Sequence, residues 1–407
     1  MKISLIIPSR NNLKYLKWAY KSIRKNQGKH VVQICVADDA SVDGTWQWCQ
    51  DRMEADEHFK AIRNEGPDRQ GLVILNDKLI NEVAEHDLAM VYHADMYLCP
   101  GALDAVEYHM YSLSADGWST ALTPVKKTIV SLTRIEPSLH PPGPEKILLD
   151  AGLEPEEFDE DIVTKYLNES KSERDDKTTE GIFAPWAFWK KEFQEIGGHD
   201  ILFAPQSKED SDIFNRFHLN GIRFIQTWKG CVYHMTSRGS RFNTFSGGAP
   251  GKNSNEWMYT TTRNTKEFIR KWGHVIKHDP YMKPIVPPKY DVGIKINNTT
   301  NQLLEVLEPW CTSMYTDINF DSYIEKIQPD TSFNIRSKMY GIEEDVTNDV
   351  IISIDGSKFT EQDMYYIQEI SSIIADNGEI GQFELGNLHI EITDLRTWEN
   401  ELIVCKR

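Results

Sequence analysis

A mostly parallel α/β sheet flanked by helices, followed by a smaller C-terminal α+β domain, is the fold class this sequence predicts. Three observations carry it. The 407 residues exceed what one average core takes. Apolar runs at 3–7, 31–36 and 88–92 read as strands covered on both faces. Between them apolar residues recur at helical spacing with short links, the alternation of a parallel sheet.

Taken in order, residues 3–7 form the first strand and Pro8 ends it. Leu13, Leu16, Ala19, Tyr20 and Ile23 share one helix face up to Gly28. Val31 to Val36 is the second strand, and Thr45 to about His58 a helix. Leu72, Leu75, Leu79, Ile80 and Val83 mark a helix from Leu72 to Ala84; Leu88 to Tyr92 is the next strand. From 125 to 180 the character changes. Pro137, Pro141, Pro142 and Pro144 interrupt regularity, and Glu154 to Asp176 is dense in charge. This stretch reads as an insertion over the sheet, either an acceptor-binding flap or a solvated excursion. Gly181 to Trp186 returns to strand, and Phe188 to Ile196 to a short helix stopped by Gly197-Gly198. Ser237 to Asn255 is loop chemistry. His274 and His278, spaced i, i+4, read as part of a helix face. The expected domains are 1–278, a Pro-rich linker 279–290, and 291–407, whose clearest helix, of two, runs from Glu361 to Ala375.

Charge and composition exclude several classes. The net charge of -17 argues against sequence-independent nucleic-acid binding. The six cysteines form no Cys-x-x-Cys pair, so reduced thiols are expected. No apolar run reaches the ~18 residues of a membrane span. Met1-Lys2 leads straight into a strand, which is not a signal-peptide pattern. The expected location is the cytoplasm, at most peripheral to a membrane.

The candidate chemistry lies at strand ends, where ligands bind in such sheets. Asp38 and Asp39 close the second strand; two adjacent buried acids repel unless something uses them, so a role is favoured, with base or ribose contacts as the candidates. Asp43-Gly44-Thr45 reads instead as a helix cap. His93-Ala94-Asp95 leaves the end of an apolar strand, where a carboxylate can hold Mg²⁺ or Mn²⁺; His93 adds a nitrogen ligand or bonds a loop. Glu209 and Asp210 open an apolar helix face, so either the helix dipole or a general base accounts for them. His234 stands alone after Gly230 to Tyr233. Trp186 and Trp189 could stack on a sugar as acceptor contacts, although the core reading is favoured.

In this order the segments resemble glycosyltransferase family 2, enzymes of the GT-A fold, over roughly residues 1–275. Ile6 to Asn11 is similar to the family's opening strand and turn, and Val36 to Thr45 to its nucleotide-binding signature. Gly71 and Asn76 fall where the family has a Gly and an Asn on the following helix. His93-Ala94-Asp95 resembles an Asp-x-Asp metal motif with the first acid replaced. Ile196 to Asp200 and Glu209 to Asp212 resemble the acceptor-side and catalytic-acid segments, and His234 the third metal ligand of some members.

The resemblance implies an inverting, metal-assisted transfer of a sugar from a nucleotide-diphosphate donor, most often UDP-linked, to an acceptor hydroxyl. It implies nucleotide-sugar contacts from Pro8, Ser9, Arg10, Asp38, Asp39, Gly71 and Asn76. A divalent cation, Mn²⁺ or Mg²⁺, would sit on Asp95, His234 and His93, with Asp210 as general base and Glu209 orienting the acceptor. Arg238 and Arg241 stand either as a lid on the diphosphate or as a solvated loop. The acceptor is a glycan, a lipid-linked molecule or a protein. The C-terminal block is open to an acceptor carrier, a partner or a second copy of the chain. Two other classes stand beside this one: a sugar nucleotidyltransferase, which needs a Gly-rich basic loop after the first strand, and a non-catalytic nucleotide-sugar binding module.

Overall fold

The computed structural model describes residues 1–113, 122–239 and 241–405. The chain forms two compact units: Met1–Thr260 with His278–Pro284 and Val404–Arg407, and Thr261–Lys277 with Ile285–Ile403.

The first unit opens with strand β1 (Lys2–Ser9), helix α1 (Leu13–Asn26), β2 (Val31–Asp39), α2 (Thr45–Ala55), β3 (Phe59–Asn64), α3 (Gly71–Lys78, continued as a π turn over Leu79–Val83) and β4 (Leu88–Val91). β1 runs on through Pro8, which faces Ala37 across a parallel ladder; a proline costs a strand only the bond its missing N–H would make. β3 was not anticipated: Phe-Lys-Ala-Ile-Arg-Asn is half polar because it is the sheet's edge strand.

Among the described residues the sheet has ten strands. Its path runs Thr178–Thr179, Arg223–His234, Thr128–Glu136, Trp186–Trp189, β4, β1, β2, β3, with Met96–Leu98 and Lys146–Leu148 pairing off that path. β1, β2, β3 and β4 are mutually parallel, and Trp186–Trp189 is antiparallel to both its neighbours. The expected insertion at 125–180 is therefore too long at its start. Thr128–Glu136 is an inner strand whose Ile129, Val130, Leu132 and Ile135 are fully buried; the prolines that follow obscured a strand pattern that precedes them. The true excursion, after Glu136, is packed down by aromatics: Phe158 meets Trp18, Tyr97 and Tyr233 at 4.7–5.1 Å between ring centres. Asp159 caps its helix Glu160–Glu169 by accepting from the Asp161 and Ile162 amides.

The second unit is built on six strands in the order Met339–Gly341, Ser313–Thr316, Val292–Asn297, Val350–Asp355, Leu388–Ile392, Gly381–Leu385. The first four are parallel neighbours and the last two an antiparallel hairpin. Ile294, Ile296, Ile352, Leu304 and Ile370 are in its core. Among the described residues it adds three α-helices after residue 290 (Asn301–Leu307, Asp321–Ile327 and Glu361–Asn377), one more than expected. The helix Asn255–Trp272 stops before Gly273, whose φ is +76°, so His274 and His278 do not share a helix face. No helix among the described residues is long and apolar enough to cross a membrane.

Candidate active site

The carboxyl ends of β1, β2 and β4 open into one cleft, of about 220 Å³. Pro8, Ser9 and Arg10 line it from the turn after β1, Asp39 from the end of β2, and His93, Ala94 and Asp95 from the turn after β4. Asn76 on α3 lines it too, with an Oδ1 that meets no hydrogen-bond partner among the described residues. Glu209 and Asp210, more than a hundred positions away in sequence, face the same space, as does His234.

Asp95, His93 and His234 form the charged centre. One ligand atom from each lies within 4.8 Å of the others. Asp95 Oδ2 accepts the Arg238 amide at 2.7 Å, and Oδ1 stands 3.5 Å from His234 Nε2. Burial would raise the Asp95 carboxyl, but the His234 charge, with His93 and the Arg238 N–H, holds it well below the usual carboxylate range. Burial would lower His234, but Asp95 and Glu136 push it up to about 9. His93 is lowered by burial, against the pull of Asp95. One carboxylate and two imidazoles are a donor set that fits a transition-metal dication.

Glu136 was missed from the sequence. Its carboxylate is 2% exposed and sits 2.8 Å from His234 Nδ1, so it turns Nε2 toward Asp95. Parallel pairing of Thr128–Glu136 with Arg223–His234 sets Ile135 opposite Tyr233, which brings the two residues side by side. An acid at the end of an apolar strand was the available signal, the same one that pointed to Asp95.

Glu209 and Asp210, the candidate acids, sit on the first turn of helix Glu209–Leu219. Ser207 and Lys208, both at positive φ, swing the chain into that turn. Asp210 is partly exposed to the cleft, whereas Glu209 is buried. Burial and the Asp210 charge push Glu209 up to about 8.

Several expected contacts are not made. Asp38 is fully buried away from the cleft lining, taking the Ser41 amide at 3.3 Å and lying 3.4 Å from Arg63 Nε; successive residues of a strand point to opposite faces. Asp39 does line the cleft, but both its oxygens are engaged, by Asn64 Nδ2 (2.7 Å) and the amides of Gln70 (3.0 Å) and Gly71 (2.8 Å). Gly71 does not line the cleft; it lets the Pro205 backbone approach so closely that a Cβ would fall 2.2 Å from its carbonyl oxygen. Arg238 is no lid: its side chain is buried, donates to the Leu153 carbonyl at 2.7 Å, and lies 3.7 Å from Glu154. Arg241 donates to Asn253 and stacks over Trp257, outside the cleft lining. Trp186 is wholly buried among Phe188, Phe214 and Phe217, and Trp189 bonds the Val125 carbonyl, so neither reaches an acceptor. Unforeseen cleft residues are Arg69, Gln206 and Trp257. Arg69 donates to Gln206 at 2.8 Å and pairs with Glu256, which also faces Arg10 at 3.5 Å.

Residues 4–117 match the family model described as glycosyl transferase family 2. No curated protein sequence matches the chain. Among solved structures, a 1-349 fragment of S. aureus TarS is similar at 14% identity and TM-score 0.38, covering 66% of this chain and 65% of its own. A mannosyltransferase from Pyrobaculum calidifontis in complex with GDP-Man and Mn²⁺ gives 16%, 0.42, 70% and 67%. GalNAc-T7 with UDP, GalNAc and Mn²⁺ gives 13%, 0.43, 67% and 51%, so the chain spans about half of that protein. No residue role follows from likenesses this loose.

Proposed function

We propose, for a chain whose residues 4–117 make it a glycosyltransferase of family 2, that it moves a sugar from a nucleoside-diphosphate donor, taken as UDP-linked, to an acceptor hydroxyl with inversion. The observation that supports this best is the meeting of Asp95, His234 and Asp210 in one cleft beside Pro8–Arg10 and Asp39. Asp95, His234 and His93 would hold a divalent cation, which when bound neutralises the charge growing on the diphosphate. Two imidazoles beside one carboxylate favour Mn²⁺ over Mg²⁺, which prefers oxygen ligands. Asp210 takes the proton of the acceptor hydroxyl as its oxygen bonds to the anomeric carbon; the bond from that carbon to the diphosphate oxygen breaks, and the nucleoside diphosphate leaves. Glu209, protonated at neutral pH by burial, donates a hydrogen bond to the acceptor rather than serving as a second base. The acceptor hydroxyl belongs to a glycan, a lipid-linked molecule or a protein. A cytoplasmic setting accords with six cysteines that are all free thiols.

Asp210→Asn tests the role of the base. Donor affinity, titrated with a UDP-sugar and Mn²⁺, is expected to stay within about twofold, while UDP release falls at least ~10²-fold. Full turnover in that variant removes Asp210 from the reaction. Asp95→Ala is expected to abolish the metal-dependent part of donor binding; affinity that is the same with and without EDTA in the wild type contradicts the metal assignment.

A further inference from the structure

We propose that Val404 and Cys405 form a strap that keeps the first turn of helix Glu209–Leu219, and Asp210 on it, set for proton transfer; the proton-transfer half of this rests on the transfer reaction proposed above. After Ile403, at the end of the second unit, the chain puts these two residues back into the first. There the Cys405 amide donates to the Ile196 carbonyl at 3.1 Å. The approach is close: a Cβ added to Gly197 would fall 2.7 Å from the Cys405 carbonyl oxygen.

The segment that the strap covers is itself tied to the helix. Arg216, wholly buried, donates through Nη1 to the same Ile196 carbonyl at 2.9 Å and through Nη2 to the Gly198 carbonyl at 2.7 Å. Its Nε donates to Asp212 Oδ2 at 2.9 Å, and Asp212 stands in the first helical turn with Glu209 and Asp210. A carboxylate oxygen of Asp212, one of Asp200 and the Cys405 sulfur lie within 4.8 Å of one another. The strap therefore meets the first turn by two routes, through the shared Ile196 carbonyl and beside Asp212.

Little else holds that turn. Ser207 and Lys208 enter it at positive φ, and the cap residue Lys208 makes no side-chain bond to the helix; the local partner that fixes a helix start is missing. Its first four residues, Glu-Asp-Ser-Asp, carry no apolar side chain to bury. Only further along do Phe214 and Phe217 pack on Trp186, at 5.6 and 5.8 Å between ring centres. Core packing thus fixes the middle of the helix and leaves its start to polar contacts. A displacement of about 1 Å at Asp210 is enough to slow proton transfer. Cys405 is then a positioning residue, one that acts through the turn and touches no substrate.

Cys405→Pro in the whole chain removes the amide donor, and Cys405→Ala keeps it. In Cys405→Pro the amides that begin the helix ladder, from Asp212 on, are expected to exchange hydrogen about fivefold faster by mass spectrometry. With UDP-glucose, UDP-galactose and UDP-GlcNAc as donors, Mn²⁺ present and water as the acceptor, kcat for UDP release is expected to fall about tenfold. UDP affinity by calorimetry and the melting temperature are expected to stay at wild-type values, and Cys405→Ala to match wild type throughout. Unchanged exchange in Cys405→Pro overturns the strap, as does an equal loss in Cys405→Ala, which would assign the effect to the thiol. Loss of UDP affinity and melting temperature along with turnover overturns the positioning role in favour of plain stability. If Cys405→Pro does not fold, Gly197→Ala, which crowds the Cys405 carbonyl, is read in the same way. Absence of UDP release by the wild type sinks the transfer reading and leaves the exchange result to decide the strap.

Discussion

Gly71→Ala probes how the cleft is assembled. Gly71 has φ +78°, and a Cβ added there would lie 2.2 Å from the Pro205 carbonyl oxygen, 2.3 Å from its Cβ and 2.4 Å from its Cα. None of these atoms sits at the end of a flexible side chain, so none can rotate away. The left-handed conformation costs an alanine about 1–2 kcal/mol. Overpacking a tight contact adds about 1–3 kcal/mol. The expected loss is therefore ~2–5 kcal/mol in the first unit. Displacement has a second effect. The Gly71 amide holds Asp39 Oδ2 at 2.8 Å, and the segment pushed aside, 205–208, leads straight into Glu209 and Asp210. Urea denaturation followed by tryptophan fluorescence reads the first effect: with a slope of about 2–3 kcal/mol per molar, a loss of ~3 kcal/mol lowers the midpoint by roughly 1–1.5 M. Titration with UDP and Mn²⁺ reads the second, and affinity is expected to fall. A midpoint within ~0.2 M of wild type, with donor affinity unchanged, would refute the close-approach argument.

Two further outcomes follow from buried carboxylates. Glu136→Gln is expected to weaken Mn²⁺ binding, measured by electron paramagnetic resonance, by about tenfold near pH 7.5, the low end for a group that orients a ligand. The end of the range is set by opposition: losing one of two acids beside His234 also makes its proton easier to remove. Unchanged Mn²⁺ affinity would exclude Glu136 from positioning His234. In the second unit, Glu308 is fully buried and accepts from Arg270 at 2.6 Å, Lys338 at 2.6 Å and Tyr323 at 3.1 Å. Burial opposes its charge, but Lys338 and Arg270 bring it down from the ordinary 4.5 to about 2. A lowered carboxyl stabilises the fold above its unfolded value, so this contribution of about 3 kcal/mol is present above pH 4.5 and is lost as pH falls through about 2. Glu308→Gln is expected to cost ~3–5 kcal/mol at neutral pH and to remove that acid dependence. A variant as stable as wild type at pH 7 would show that the cations find other partners.

The first half of the sheet was legible because its signal is local. Residues 88–92 are apolar throughout, and 3–7 and 31–36 are apolar but for Ser4 and Gln33, which bond each other at 2.7 Å; such a run buries itself wherever the chain goes. Thr128–Glu136 is also apolar, but four prolines just beyond it dominated the reading of that region. β3 was invisible for the opposite reason: at a sheet edge Lys60 can face solvent, so no clean pattern forms. Site chemistry divides in the same way. Asp95 stood out by its place at a strand end, whereas Asp210 and His234 were singled out by the family resemblance; the structure brings all three to the lining of one cleft. The roles of Asp38 and Arg238 were not legible, since each depends on which way one side chain turns.

The sequence by itself determined the strand–helix alternation and the kinds of side chain available at its ends, because both follow from spacing along a single chain. Only the tertiary structure decided which of those side chains meet. The partnership of Glu136 with His234 arises from strands ninety-odd positions apart in parallel register, and the Arg238 amide reaches Asp95 because antiparallel pairing sets His234 opposite Met96. Contacts between distant segments are fixed by register and packing, which no local pattern records.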